Sequence, residues 1–223
     1  MKQFDPQRRR VLAGSLSTLG VLTVTPLTRL YAAGLTATPP QTRGPFYPAR
    51  IPLDSDNDLV VVKGQSGIAK GEVSNVAGRV LDERGRPISG VRVEIWQCDA
   101  HGRYHHPGDR RNVPLDSKFQ GYGQFTTAAD GGYRFRTIKP VPYPGRAPHI
   151  HFTVSGPGIE PLTTQMYVAG APENDGDWIL NSIRDARARE SLIVAFTPAV
   201  ETPGELLAKF DLVLVADGRF AKG

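Results

Sequence analysis

Among 223 residues there is one cysteine, Cys98, so no intrachain disulfide can staple the chain and its fold must rest on packing alone. No apolar run reaches about 18 residues without interruption by Thr, Ser, Gly or Pro, which argues against a membrane-spanning helix. Internal repeats, coiled-coil heptads and phosphate-cradling glycine loops are also missing; Gly121-x-Gly123 lacks the strand-to-helix context such a loop needs. Excess charge is scarce once the amino-terminal segment is set aside. The formal net charge is +5, but Lys2, Arg8, Arg9, Arg10 and Arg29 against Asp5 place four of those charges in residues 1–34 and leave +1 for the rest. With no basic stripe interleaved with aromatics, we expect no nucleic-acid partner.

What the chain does have is turn chemistry. Its 24 glycines and 19 prolines, with 39% hydrophobic residues, describe one compact, turn-rich domain long enough to bury a sizeable core. Short segments with strand character recur at 73–81, 91–97, 133–137, 149–154, 165–168, 192–196 and 210–215, separated by turns such as Asp82-Glu-Arg-Gly85-Arg-Pro87 and Asp130-Gly-Gly132. Val91, Val93 and Ile95 alternate with Arg92, Glu94 and Trp96, the period of a strand with two unlike faces. The pattern predicts an all-β fold, a β-sandwich with long loops, an N-terminal arm and one short helix over 178–189, with a further helical turn at 205–207. We expect an arm over 35–72, and the sandwich over 73–223. The arm holds Phe46 and Tyr47 beside prolines that limit backbone freedom.

The first 34 residues read as an export signal. Arg8-Arg9-Arg10 precede an apolar, Gly- and Thr-rich run to Leu27, the order of an n-region and an h-region, and small residues near Ala32 to Ala37 suit cleavage. The adjacent arginines are similar to twin-arginine signals, so the expected location is periplasmic or secreted. Cys98, inside a strand-like stretch, reads as a buried structural thiol rather than a nucleophile.

The candidate chemistry lies in Tyr143-Pro-Gly-Arg146-Ala-Pro-His149-Ile-His151-Phe152. Residues two apart in a strand share a face, so His149 and His151 can direct both rings at one ion, or both can simply bond to backbone. No Asp or Glu stands beside them; Tyr143 does, and Tyr104 lies upstream in His101-Gly-Arg-Tyr104-His105-His106. His105 and His106 face opposite ways if extended, so a zinc site built from them is poorly supported and a polar loop is the plainer reading. A phenol, with its pKa near ~10, becomes a ligand only where a strongly Lewis-acidic ion offsets its deprotonation, which points to ferric iron over zinc. Residue types alone leave the metal site and the backbone-bonded histidines both open.

Thr42-Arg-Gly-Pro-Phe-Tyr-Pro48, Gly78-Arg-Val-Leu-Asp82, Trp96-Gln-Cys-Asp-Ala-His-Gly-Arg-Tyr104, Phe135-Arg-Thr-Ile-Lys-Pro-Val-Pro-Tyr143-Pro, Ala147-Pro-His-Ile-His-Phe152 and Thr164-Gln-Met-Tyr167 together resemble the intradiol ring-cleaving dioxygenases. The resemblance implies a non-haem Fe(III) cofactor held by Tyr104, Tyr143, His149 and His151, with Tyr143 giving way when substrate chelates. It further implies Arg146 over the substrate ring, Gln165 helping to position substrate, and O2-dependent opening of a catechol-type aromatic diol to a cis,cis-muconate-type product. The helical dimerisation segment of the catechol branch does not precede the sandwich pattern, so the chain looks more like the protocatechuate 3,4-dioxygenase branch. That comparison implies a homo-oligomer or a second, partner subunit. Gly78 to Val91 with Asp130 to Phe135 also resemble metal-free transthyretin-like and adhesion modules, a class that has no use for the two tyrosines and two histidines.

Overall fold

The computed structural model describes residues 34–215; the expected export segment, apart from Gly34, lies outside them. In chain order the strands are β1 (Val73–Asp82), β2 (Arg92–Trp96), β3 (Tyr122–Thr126), β4 (Gly132–Ile138), β5 (His149–Ser155), β6 (Leu162–Val168), β7 (Ile193–Val194), β8 (Phe196–Pro198), β9 (Leu206–Lys209) and β10 (Leu212–Leu214). They form two five-stranded sheets, one built around β1 from β4, β8, β9 and β10, the other ordered β3-β2-β5-β6-β7. β1 runs antiparallel to β4 and parallel to β9 and then β10, while β2, β3, β5 and β6 are mutually antiparallel neighbours.

Period-two alternation decides what each face of the second sheet carries. Val93 and Ile95 of β2, Ile150, Phe152 and Val154 of β5 and Met166 of β6 are buried in one apolar cluster with Val76, Val80, Tyr133 and Phe135 of the first sheet. Phe152 bridges the layers, its ring centroid 6.1 Å from Tyr133 and 5.1 Å from Phe210. The alternate residues form a polar and aromatic row on the other face: Tyr122, Trp96, His151 and Gln165 are successive cross-strand partners, and His149 pairs with Tyr167. Side chains of such directly opposed residues stand on the same side of a sheet.

This outer face is covered by residues preceding β1. The Leu35 and Thr38 N–H groups donate to Glu83 and Val213 carbonyls at 2.8 and 2.9 Å, and the Gln41 N–H donates to the Thr163 carbonyl at 2.8 Å, so the segment passes from one sheet to the edge of the other. Tyr47 then lies edge-on to Trp96 at 4.9 Å and donates its hydroxyl hydrogen to Glu94 at 2.9 Å. Further along, Leu59 and Val60 are fully buried in the core, so the arm is anchored on the sandwich.

Three local features differ from the sequence expectations. β3 escapes pattern reading because Gly121 precedes it and Gly123 interrupts it, yet Gly123 is what lets residues 56–59 lie against the strand: a β-carbon there would be 2.6 Å from both the Asp56 oxygen and Leu59 Cδ1. The helix expected over 178–189 is split into α1 (Trp178–Asn181) and α2 (Ala186–Glu190), preceded by a 3-10 turn at Pro172–Gly176. Asp177 and Asp185 sit in extended backbone and accept the first free N–H groups of the two helices, so each aspartate starts a new helix. Residues 205–207 are no helical turn, because Leu206 to Lys209 pair with β1 and bury Ala208. No helix among the described residues is long and apolar enough to cross a membrane.

Because Phe152 is fully buried and contacts rings from the opposite layer, Phe152→Ala is expected to destabilise the protein by about 3–5 kcal/mol, read as a lower denaturant midpoint at unchanged slope.

Candidate metal centre

Three pieces of backbone converge on the polar face of the second sheet. β5 supplies His149 and His151, two residues apart and both 2% exposed. The loop after β2 supplies Tyr104 and is shaped by buried carboxylates: Asp99 accepts the N–H groups of His101 and Arg103 at 2.9 and 3.0 Å, and Asp109 accepts the Tyr104 N–H at 2.8 Å. The loop before β5 supplies Tyr143 and Arg146 from one tight turn, closed by the Arg146 N–H on the Tyr143 carbonyl at 2.9 Å. Pro144 fixes the second position of that turn and Gly145, at φ +82°, takes the third, where a side chain would be strained. The turn sets Tyr143 and Arg146 side by side.

The four rings stand close together. Centroids are 4.8 Å apart for His149–His151, 5.5 Å for Tyr143–His149, 5.9 Å for Tyr104–Tyr143 and 6.3 Å for Tyr104–His151. The Tyr104 hydroxyl is 3.4 Å from His149 Nε2. His149 donates Nδ1–H to the Ala147 carbonyl at 2.6 Å, which turns the Nε2 lone pair toward the phenols. His151 stacks on Trp96 at 4.8 Å and 4°, and its Nδ1 is buried without a hydrogen-bond partner among the described residues. On its other side Gly44 leaves room for the ring; a β-carbon there would be 3.4 Å from His151 Cε1.

Electrostatics define what this group can hold. Burial, reinforced by Arg146, pushes His149 down to about 3, and burial with His149 and Arg146 as neighbours holds His151 well below the usual imidazole range, so both rings are neutral. Burial likewise raises Tyr104 far above, and Tyr143 above, the usual phenol value. Two neutral imidazoles and two phenols in a dry site form a donor set that only a strongly Lewis-acidic cation would turn anionic, and ferric iron fits that chemistry. Among the described residues no group of three or more His, Cys, Asp or Glu side chains is placed to hold a metal ion.

His101, His105 and His106 stay outside. His105 donates Nε2–H to the Asp116 carbonyl at 2.8 Å, His106 Nδ1 accepts the Gly108 N–H at 3.0 Å, and His101 lies toward Asp99. Cys98 is buried beneath the site and burial raises its thiol to about 12, the state of an inert structural cysteine.

Arg146 and Gln165 are both at the site but make different contacts. Arg146 Nε donates to Asp177 at 2.9 Å and Nη2 to Gln165 Oε1 at 2.5 Å. Although burial alone would lower it, Asp177 keeps the guanidinium charged. The fully buried Gln165 spends its amide on the protein, accepting from Arg146 and the Tyr167 hydroxyl and donating to the Thr42 carbonyl at 3.0 Å. Asp177, Tyr167 and Trp96 are parts of the site that sequence reasoning missed. Trp96 and Tyr167 carried a usable signal, each at one end of a motif of the family resemblance, and Trp96 also lies on the polar side of the β2 alternation.

A family profile described as Dioxygenase matches residues 42–216. The chain is 41% identical over 179 residues to the protocatechuate 3,4-dioxygenase beta chain of Burkholderia cepacia, covering 76% of each. It is 31% identical over 182 residues to the hydroxyquinol 1,2-dioxygenase of Corynebacterium glutamicum, covering 72% of this chain and only 55% of that one. The solved dioxygenase domain of a carbohydrate-binding fusion protein from Streptomyces sp. SirexAA-E superposes with a TM-score of 0.62 at 32% identity, over 81% of this chain and 99% of that domain. The chain belongs to the intradiol ring-cleavage dioxygenases, Fe(III) enzymes that open catechol-type diols with O2.

Asp109 gives this site a measurable pH signature. Burial alone would raise it, but hydrogen bonds from Arg111 and from the Tyr104 and Arg111 N–H groups bring it from 3.8 to about 2. A depressed carboxyl contributes stability that is complete above its unfolded pKa and vanishes as pH falls through the folded one. Unfolding free energy is therefore expected to drop by on the order of 2 kcal/mol from this group between about pH 4 and pH 2, and urea titrations of Asp109→Asn should lack that component.

Proposed function

We propose that Tyr104, Tyr143, His149 and His151 hold the iron in this protein, and that the site converts a catechol-type diol and O2 to a cis,cis-muconate-type product. The observation that carries the assignment is the meeting of two phenols and two neutral imidazoles at one point on the outer face of a sheet, with Tyr104, His149 and His151 buried and Tyr143 half-buried. When bound, ferric iron supplies the Lewis acidity that draws electron density from a chelated diol and makes its ring reactive toward dioxygen.

The two tyrosines are unequal, and their surroundings support different roles. Tyr104 is 3% exposed, stacked under Phe46 at 4.8 Å and tied by its N–H to Asp109, so it stays in place through turnover. Tyr143 is half-buried and borders an open cleft of about 510 Å³ lined by Pro142, Pro144, Gly145, Arg146, Glu173 and Gly176. It is the phenol with room to give way, its oxygen taking a proton from the arriving diol. Arg146 stands beside it with a charge fixed by Asp177 and acts on substrate as a preorganised cation. Gln165 works through Arg146 and the arm, as a positioning residue.

The same reading extends to the whole chain. Residues 1–34 act as a twin-arginine export signal, 35–72 as the arm and 73–223 as the catalytic sandwich, so the enzyme works in the periplasm or outside the cell. Gly44 and Phe46 of the same chain lie against His151 and Tyr104, which supports a homo-oligomer in which each copy's arm covers its own site.

Purified enzyme is expected to carry iron, to show a visible tyrosinate-to-iron absorption and to consume O2 with a catechol-type diol. Arg146→Gln should lower kcat by about a hundredfold, the scale of a lost preorganised cation, with iron content unchanged. Loss of iron in that variant, or extradiol products from the parent enzyme, would refute these assignments.

A further inference from the structure

Arg111 lies outside every motif that carries the family resemblance, yet its side chain is held beside the site by a forked ion pair. Its Nε donates to Asp109 Oδ1 at 2.8 Å and its Nη2 to Oδ2, a forked ion pair that fixes the plane of the guanidinium. The Asp109 side chain is 0% exposed and that of Arg111 25%, so the pair is held by protein on most sides. The same Asp109 Oδ2 accepts the Tyr104 N–H. So fixed, the guanidinium carbon lies 4.4 Å from the centroid of the Tyr143 ring and 5.6 Å from that of Phe46, both inside cation–π range. Its remaining nitrogen, Nη1, is buried with no hydrogen-bond partner among the described residues. A surface arginine free to rotate would turn that nitrogen to water; this one keeps its face on the ring.

We infer that Arg111 is a positioning residue for Tyr143, and that Asp109 yokes the two phenol-bearing loops by fixing Tyr104 through its N–H and Tyr143 through the arginine on its ring. The inference rests on the proposed iron-binding role of the two tyrosines. Of the four ring-bearing residues Tyr143 has the most open surroundings, so a restraint on its ring face sets the direction in which it can move. The cation also lowers the energy of the phenolate π electrons beneath it.

The test compares iron-loaded wild type with Arg111→Gln, Arg111→Lys and Asp109→Asn. In wild type the visible absorption reports electron transfer from tyrosinate to iron. Arg111→Gln should keep the iron, move that band to longer wavelength, and raise KM for the diol about tenfold with a smaller change in kcat, since a ring no longer held lies in the path of the substrate. Arg111→Lys retains charge without the planar fork and should fall between the two. Asp109→Asn, which keeps an acceptor for the Tyr104 N–H but frees the arginine, should shift the band in the same direction as Arg111→Gln. An unmoved band together with an unchanged KM in Arg111→Gln overturns the inference and leaves the iron ligands standing. A wild-type protein that binds iron without any such band overturns the ligand assignment instead.

Discussion

The arrangement depends on one covering: residues 41–48 lie across the outer face of the second sheet and keep water from it. That face carries Glu94, Trp96, Tyr122, His149, His151 and Gln165, a set that a sheet would ordinarily leave solvated. With the arm in place, Tyr47 and Tyr122 donate to Glu94 at 2.9 and 2.5 Å, Gln165 bonds the Thr42 carbonyl, and Phe46 closes over Tyr104. The dry environment keeps both imidazoles neutral and both phenols protonated until a cation arrives. The apolar core and the site thus occupy opposite faces of the same strands, and the rigidity of the first is lent to the second.

Around the four rings, each nearby charge is met locally. Arg146 is matched by Asp177 and Arg111 by Asp109, and both carboxylates also accept backbone N–H groups, of Ala147 and Tyr104 respectively. The carboxylates therefore do two jobs, neutralising an arginine and fixing the loop that bears a site residue. Charge compensation of this kind leaves the donor cluster without a net negative neighbour in contact, so phenolates become the natural counter-charge for a trivalent ion.

Much of this was legible in the sequence because it was local. The His-x-His spacing and the Val-Arg-Val-Glu-Ile-Trp alternation each fix geometry within a few residues, and β5 and β2 fall where those patterns put them. What was not legible depended on contacts distant in sequence. Gly123 reads as a strand breaker until residues 56–59 are seen lying on it. Asp177 starts α1 and also anchors Arg146, 31 positions away, and nothing near it in the sequence announces that second contact. Glu205 to Leu207 look like a helical turn because the strand over 206–209 is short and its partner β1 is more than a hundred residues earlier.

A crystal structure of the iron-loaded enzyme, with anomalous scattering collected at the iron edge, tests the central claim most directly. The account predicts a single strong peak between the Tyr104 and Tyr143 oxygens and His149 and His151, with the arm closed over it. An iron peak elsewhere, or one that neither phenol oxygen reaches, would contradict it.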